Sequence, residues 1–476
     1  MLQFLYLIAL LPVISERAFA SLGPVEVLPI INSDIAPDGF RRSAVLANDV
    51  FPGPLIKANK VNMPKLILVL LIFDAALHWH GIFQRTTNYA DGSPSLLMPN
   101  CTERSFLYDS RGRANGIGTY WYHSHLQAQY CDGLRGPLVI YDPDDPQWSF
   151  SLDLLLSDDT LLPLRIGTTS SRSGAIVPNS NSTLINGQGR YPGGPPFPCF
   201  FLLSIKVEPK VNASCHNSYR LRLVDGNNVQ PLVVDSLQIF AAQRRSEIDN
   251  YWIRALPNLS DKDYADFTND PLSDPNVNVP TSLLPLVETN LHLTFTCPAT
   301  RPTPVPGEPF PGGADININL AVTLSSDFTE FLVNGFPFDS PTVPVLLQIL
   351  SGAQSAADLV PTGSIYKLEP NKSVEITLPA GVADGPHPIH LHGHAFHVVR
   401  SAGSSVYNFD DPVIRDVVSM GKTGDNVTIR FFTDNPARGG FAVVFAEDVP
   451  EVSTTDIVPN SWLSLCPAYN NFESQT

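Results

Sequence analysis

The segment 387-HPIHLHGHAF-396 places four histidines within eight residues. Neutral imidazole is the commonest protein ligand for copper, zinc and iron, so this cluster reads first as metal chemistry. In an extended segment, side chains alternate between faces, so His390 and His392 point one way and His387 the other. One strand would then serve two separate metal sites. Same-face neighbours lie roughly 7 Å apart at about 3.3 Å rise per residue, which suits two adjacent ions better than chelation of one.

The same H-x-H spacing occurs twice more. His78 and His80 flank Trp79 in 77-LHWHGIFQ-84, and His123 and His125 close the aromatic, β-prone run of 118-GTYWYHSHLQAQYCDGLRG-136. Three such pairs in a β-rich context point to a polynuclear metal site. Ligation by imidazole alone fits copper, zinc or iron and disfavours calcium or magnesium, which take oxygen ligands. No carboxylate accompanies the pairs, which makes a 2-His-1-carboxylate iron site less attractive. His216 and His292 stand alone and read as surface or hydrogen-bonded histidines.

The elements that must position these histidines are strands. The chain has 476 residues, enough for several domains, and is 43% hydrophobic but only 16% charged, with 44 Pro and 31 Gly. Few helix formers and many turn residues predict short strands, such as 25-VEVLPII-31, 43-SAVLAN-48, 219-YRLRLV-224, 315-DININLAVTL-324 and 373-SVEITLPA-380. The acidic 142-DPDD-145 ends a first unit near residue 148, and the proline-rich 299-ATRPTPVPGEPFPGG-313 reads as a linker or long surface connection.

The net charge of -16 disfavours nucleic acid, which needs a basic face. An apolar run from Leu2 to Ile14 followed by Ala18-Phe19-Ala20 reads as a signal peptide over residues 1–20. The other apolar run, Leu66 to Ile72, is too short to span a membrane and reads as a buried strand. Six cysteines without a CxxC pair fit disulfides in a secreted protein. Sequons at Asn100, Asn181, Asn212, Asn258, Asn371 and Asn426 fit a glycosylated surface.

The strings HWHG, GTYWYHSH followed by QYCDGLRGPLVIYDP, and HPIHLHGHAF resemble three of the four signatures of the multicopper oxidases, specifically of fungal laccases. Matches at 46-LANDVFPGPLI-56, 232-LVVDSLQIFAAQR-244, 341-PTVPVLLQILSGAQ-354, 411-DPVIRDVVS-419 and 442-AVVFAED-448 extend the resemblance through much of the chain. It implies an all-β fold of three cupredoxin-like Greek-key domains, here at residues 21–148, 149–290 and 291–476, each with a shortened segment. It also implies a secreted, monomeric oxidoreductase that oxidises phenols, such as lignin-type aromatics, one electron at a time and reduces dioxygen to water, with no nucleic-acid or membrane partner.

By the same resemblance, four coppers are expected in an intact member. His78 and His390 would bind the type 2 copper, and His80, His123, His125 and His392 the type 3 pair. His387 would be a type 1 ligand, with Phe441 at the axial position; His394 and His397 match no ligand position. Cys101 would pair with Cys466; the usual partner of Cys131 is absent, and Cys215 is one candidate to replace it among the several pairings that six cysteines allow.

The fourth signature, an H-C-H-x-x-x-H run carrying the type 1 cysteine and three histidines, is missing. The segment 431-FFTDNP-436 passes through Ala437-Arg438-Gly439-Gly440 directly into 441-FAVVFAED-448, and no histidine follows His397. The resemblance therefore implies fewer than four coppers and an impaired enzyme. Familiar sequence is also replaced between 55-LIKANK-60 and His78, skipped after Val224 and shortened over 242–254. The alternative reading is a non-catalytic secreted metal-binding protein of the same fold, or the product of a truncated gene model.

Overall fold

The computed structural model describes residues 21–22, 25–59, 65–70, 76–94, 96, 105–109, 118–126, 129–141, 304–326, 331–338, 341, 343–352, 359, 363, 365–380, 387–435, 438–439, 444–447, 458 and 460–463. Between these it describes the short segments 151–153, 156–159, 182–185, 187, 220–223, 236–237, 245–248 and 285–286. The segment read as a signal peptide lies outside them.

Among the described residues the fold is nearly all strand. The N-terminal part forms a five-stranded sheet in the order Ser21–Leu22, Leu55–Asn59, Arg135–Tyr141, Gly118–Ser124, Leu77–His80. A four-stranded sheet accompanies it, ordered Arg42–Ala47, Val25–Ile35, Lys65–Leu70, Ser105–Asp109. The stretch before His78 that departs from familiar sequence thus still supplies a strand, Lys65–Leu70, paired parallel to Val25–Ile30 and antiparallel to Ser105–Asp109. Its run of β-branched and leucine residues accounts for this: strand formation depends on apolar pattern, not on a particular string.

Leu28 and Ile30 from the four-stranded sheet meet Ile56, Leu77, Trp79, Tyr122 and Leu138 from the five-stranded sheet in one buried core. Each such side chain contributes roughly 1.5–3 kcal/mol on removal from water. Val345, Leu346 and Ile349 of the helix Val345–Leu350, together with Trp462, close the same core, so late-sequence elements pack onto the early domain.

The C-terminal part has its own core, built by the sheet Ile316–Asn319, Ser373–Pro379, Asn426–Phe432, Phe396–Arg400, Val413–Arg415. Val374, Ile376, Phe396, Val398, Val427, Ile429 and Phe431 are all buried there. Beside it, the two-stranded pair Pro388–His390 and Val417–Ser419 carries the histidine-rich segment. No described helix is long and apolar enough to cross a membrane.

Candidate metal centre

His78 and His80 lie on the strand Leu77–His80, all four residues of which are buried. The period of two divides it cleanly: Leu77 and Trp79 enter the hydrophobic core, so the two imidazoles emerge on the opposite face. The neighbouring strand Gly118–Ser124 is antiparallel, with His78 opposite His123 and His80 opposite Trp121. Tyr122 points into the core, where its hydroxyl donates to the Pro54 carbonyl at 2.8 Å, and His123 points to the metal face. His125 lies one residue past that strand, held by its backbone N–H on the Ala76 carbonyl at 2.9 Å.

From the C-terminal domain, the strand Pro388–His390 ends at His390. His392 is therefore not the next same-face residue of a strand but part of a turn through Gly393, whose φ of 68° is left-handed. This corrects the simple alternation expected from the spacing. The two rings converge to 4.8 Å between centroids, closer than same-face strand neighbours, because the turn folds His392 back.

The two halves meet in one cluster. His80 and His390 stack with centroids 3.6 Å apart, and those of His78 and His392 are 4.0 Å apart. His78 lies 5.3 Å from His123 and 5.5 Å from His125, and His125 lies 4.9 Å from His392. Ligand atoms of His78, His80 and His390 all fall within 4.8 Å of one another, and so do those of His78, Asp91 and His392.

Hydrogen bonds orient these rings. Nδ1 of His78 donates to the Asp91 carbonyl at 2.8 Å, that of His123 to the Ser124 carbonyl at 2.8 Å, and that of His390 to the Asp416 carbonyl at 2.7 Å. A carbonyl oxygen only accepts, so the proton of each neutral ring sits on Nδ1 and the Nε2 lone pair is left for a metal. Nε2 of His78 and of His123 are indeed buried without any hydrogen-bond partner, an arrangement that is costly unless a cation is bound there. Nδ1 of His392 donates to Asp91 Oδ2 at 2.9 Å, and its Nε2 faces His125 Nε2 at 3.1 Å.

Charge follows burial. Burial first, then the neighbouring imidazoles, pushes His123 and His392 well below the ordinary histidine value, and His125 down to about 3. Asp91 is fully buried, which by itself would raise its pKa; His78 and His392 outweigh that and hold it well below the usual carboxylate range. Neutral imidazoles around a buried carboxylate form a donor set that copper satisfies.

Carboxylates do accompany the pairs, contrary to the sequence reading. Asp91 bridges His78 and His392, and Asp416 Oδ2 lies 3.9 Å from His80 Nε2. Asp91 is distant from His392 in the chain, so only the fold joins them. Gly92, with φ of 80°, was the available signal: a Cβ there would overlap the Leu77 carbonyl, so glycine lets the Asp91 turn press against the ligand strand. Ser93 Oγ, 3.3 Å from Asp91 Oδ2, and Asn435 were likewise not foreseen.

His387 lies apart from the cluster. Its ring is edge-on to Phe331 at 6.2 Å, and its buried Nε2 has no hydrogen-bond partner. Phe441 lies outside the described residues, and beyond Asn435 only Arg438–Gly439, paired with Val444–Phe445, is described before residue 444. A type 1 copper needs a thiolate and a second imidazole. No histidine follows residue 397 and Cys466 is the only cysteine after Cys297, and among the described residues no metal-holding group includes His387.

His394 is buried, with Nδ1 on the His392 carbonyl at 3.3 Å and its ring 5.1 Å from Phe431; His397 is buried within the C-terminal sheet. His216, His292, Cys101, Cys215, Cys466, Asn100, Asn181, Asn212 and Asn258 lie outside the described residues. Cys131 is half-buried beside the Tyr130 hydroxyl, whose pKa is raised by burial and then by Cys131. Asn371 is exposed and Asn426 half-buried.

Three multicopper oxidase family models match residues 30–145, 163–270 and 338–441. A laccase of Phlebia radiata is 43% identical over 515 aligned positions, covering 97% of each chain, and laccase-2 of Trametes versicolor is 45% identical, covering 95% of this chain and 96% of its own. The first alignment is longer than the 476-residue chain, so the relative carries segments that this one lacks. Among solved structures, a multicopper oxidase that functions in iron import has a TM-score of 0.70 at 22% identity, covering 94% of this chain and 95% of its own. A laccase from Botrytis aclada has 0.64 at 22% identity, covering 95% and 93%.

Proposed function

The chain belongs to the multicopper oxidase family, among the fungal laccases, and on that premise we propose that it descends from an oxidase of phenols and retains the copper cluster of that reaction but not its electron entry. Copper held there would supply the chemistry of an intact laccase, one-electron oxidation of phenols coupled to reduction of dioxygen to water.

The observation that carries this reading is the convergence of six histidines from two domains. Two of their Nε2 atoms, those of His78 and His123, are buried and partnerless. His78 and His390 are assigned to the type 2 copper, and His80, His123, His125 and His392 to the type 3 pair. His387 is left without the cysteine and second histidine that a type 1 copper requires. Asp91 and the Asp416 carbonyl orient the rings and fix their tautomers, which keeps Nε2 available. The protein then holds fewer than four coppers and oxidises phenols poorly. Secretion, a monomeric state, phenolic substrates, N-glycosylation and the pairing Cys101–Cys466 rest on the resemblance to fungal laccases and on the N-terminal apolar run, with Cys215 a candidate partner for Cys131.

The test is to express the full chain with copper and measure copper per molecule, the blue thiolate absorption and phenol oxidation. Bound copper without a blue band and with little turnover is expected. Four coppers with a blue band would overturn the reading.

A further inference from the structure

One buried side chain touches both halves of the histidine cluster without being a ligand. Asn435 is 2% exposed, and its Nδ2 donates to the Phe83 carbonyl and to the Gly393 carbonyl, each at 2.8 Å. Phe83 lies three residues after His80, and Gly393 directly follows His392. Two carbonyl acceptors require the amide NH2, not its oxygen, at this point, and each of its two protons is used.

Both ends of this bridge are fixed. Two residues before Asn435, Thr433 Oγ1 donates to the Glu369 carbonyl at 2.6 Å and accepts from Lys372 N at 2.7 Å, tying the segment to its own domain. On the other side, Phe83 precedes Gln84 and Thr86, whose φ values of 49° and 65° are left-handed for residues other than glycine. Such backbone costs of order 1–3 kcal/mol and persists only where its surroundings hold it. Thr87 does so, bonding the Gln84 carbonyl with its N–H at 3.0 Å and the Gln84 side chain with its hydroxyl at 2.8 Å. The turn therefore presents the Phe83 carbonyl inward in a fixed pose.

We propose that Asn435 is a positioning residue that sets the separation of the two ligand-bearing segments, 78–80 and 390–392. This rests on the reading that the six histidines bind copper. The closest ring pairs, His80 with His390 and His78 with His392, both cross the seam that Asn435 spans. The role weighs more in this chain than in an intact oxidase, because the missing H-C-H run would have added further ligands from the segment just beyond Asn435.

The test uses the full chain with Asn435→Ala, Asn435→Gln and, as comparator, Asn334→Ala. Asn334 makes a similar two-bond clip, to the Asn319 carbonyl and the Tyr366 hydroxyl, away from the cluster. Equilibrium dialysis against copper(II) should show about 10–100-fold weaker binding for Asn435→Ala, the range seen when residues that orient metal ligands are removed. The copper EPR hyperfine pattern should change with it. Asn435→Gln, which keeps the NH2 group, should recover part of the affinity, and Asn334→Ala should leave affinity and spectrum unchanged. In the metal-free chain, amide hydrogen exchange at 80–84 and 391–394 should quicken together in Asn435→Ala.

Unchanged affinity and spectrum in Asn435→Ala, or exchange in both segments as slow as in the parent, would overturn the proposal. A parent chain that takes up no copper would refute the copper reading instead, and the exchange measurement would still decide the role of Asn435.

Discussion

Asp91 Oδ2 lies 2.9 Å from Nδ1 of His392, a residue 301 positions later in the chain, while the Asp91 backbone carbonyl holds Nδ1 of His78 at 2.8 Å. A single residue thus orients one imidazole from each domain by two different groups. Removing the side chain should separate the two effects: Asp91→Ala keeps the backbone contact to His78 and leaves His392 Nδ1 with the longer Ser93 Oγ contact at 3.4 Å. Copper affinity should fall by about 10–100-fold, as for other residues that orient metal ligands. Equilibrium dialysis measures this, and affinity equal to the parent would exclude the bridging role.

The Asp91 turn can approach the ligand strand only because Gly92 follows. Its φ of 80° disfavours any side chain, and a Cβ would overlap the Leu77 carbonyl and crowd His78 N. Gly92→Ala should lower stability by more than the roughly 1–3 kcal/mol of the backbone strain alone. Copper uptake should weaken in parallel. Chemical denaturation of the metal-free variant reads the first effect, and a midpoint equal to the parent would contradict it.

Arg430 is the best-buried cation of the C-terminal domain among the described residues. Its guanidinium pairs with Glu375 at 2.6 Å and donates to the carbonyls of Pro306, Glu308 and Phe310, fastening the proline-rich connection onto the sheet. Arg430→Met leaves Glu375 buried without its partner and should cost about 3–5 kcal/mol of stability. The thermal midpoint should drop while the copper EPR pattern of the folded fraction stays the same. A loss under about 1 kcal/mol would show that the surrounding groups are satisfied by water instead.

The metal-free chain should lose stability as the medium becomes acidic. His123, His125 and His392 take up protons near pH 6.5 when unfolded but far lower when folded, His125 at about 3. Between those limits the unfolded chain binds more protons, so stability falls as pH drops through 6.5 and is level above it. Asp91, held well below its unfolded value of 3.8, adds a loss of the same sign at lower pH. Unfolding midpoints at pH 7.5, 6.0 and 5.0 check this, and a flat profile would contradict it.

The pairs His78/His80 and His123/His125 were legible as H-x-H spacings in β-prone sequence; His78 and His80 share one strand face, while His125 lies one residue past its strand. The all-β class was legible from the same alternation and from the many turn residues. The bridge through Asp91, the clip through Asn435 and the packing of Trp462 into the N-terminal core were not. Each joins positions far apart in the chain, and nothing in local spacing marks which distant carbonyl or ring a polar side chain will meet. His390 and His392 were expected on one strand face, about 7 Å apart; the turn at Gly393 replaces that alternation and sets their ring centroids 4.8 Å apart.

The most direct test of a copper cluster without an electron entry is a combined copper assay, absorption and EPR measurement on the full chain after copper loading. The expected result is fewer than four coppers per chain, an EPR signal with imidazole nitrogen couplings from the His78, His390 region, and no blue thiolate band. A chain carrying four coppers, a blue band and rapid phenol oxidation would contradict it.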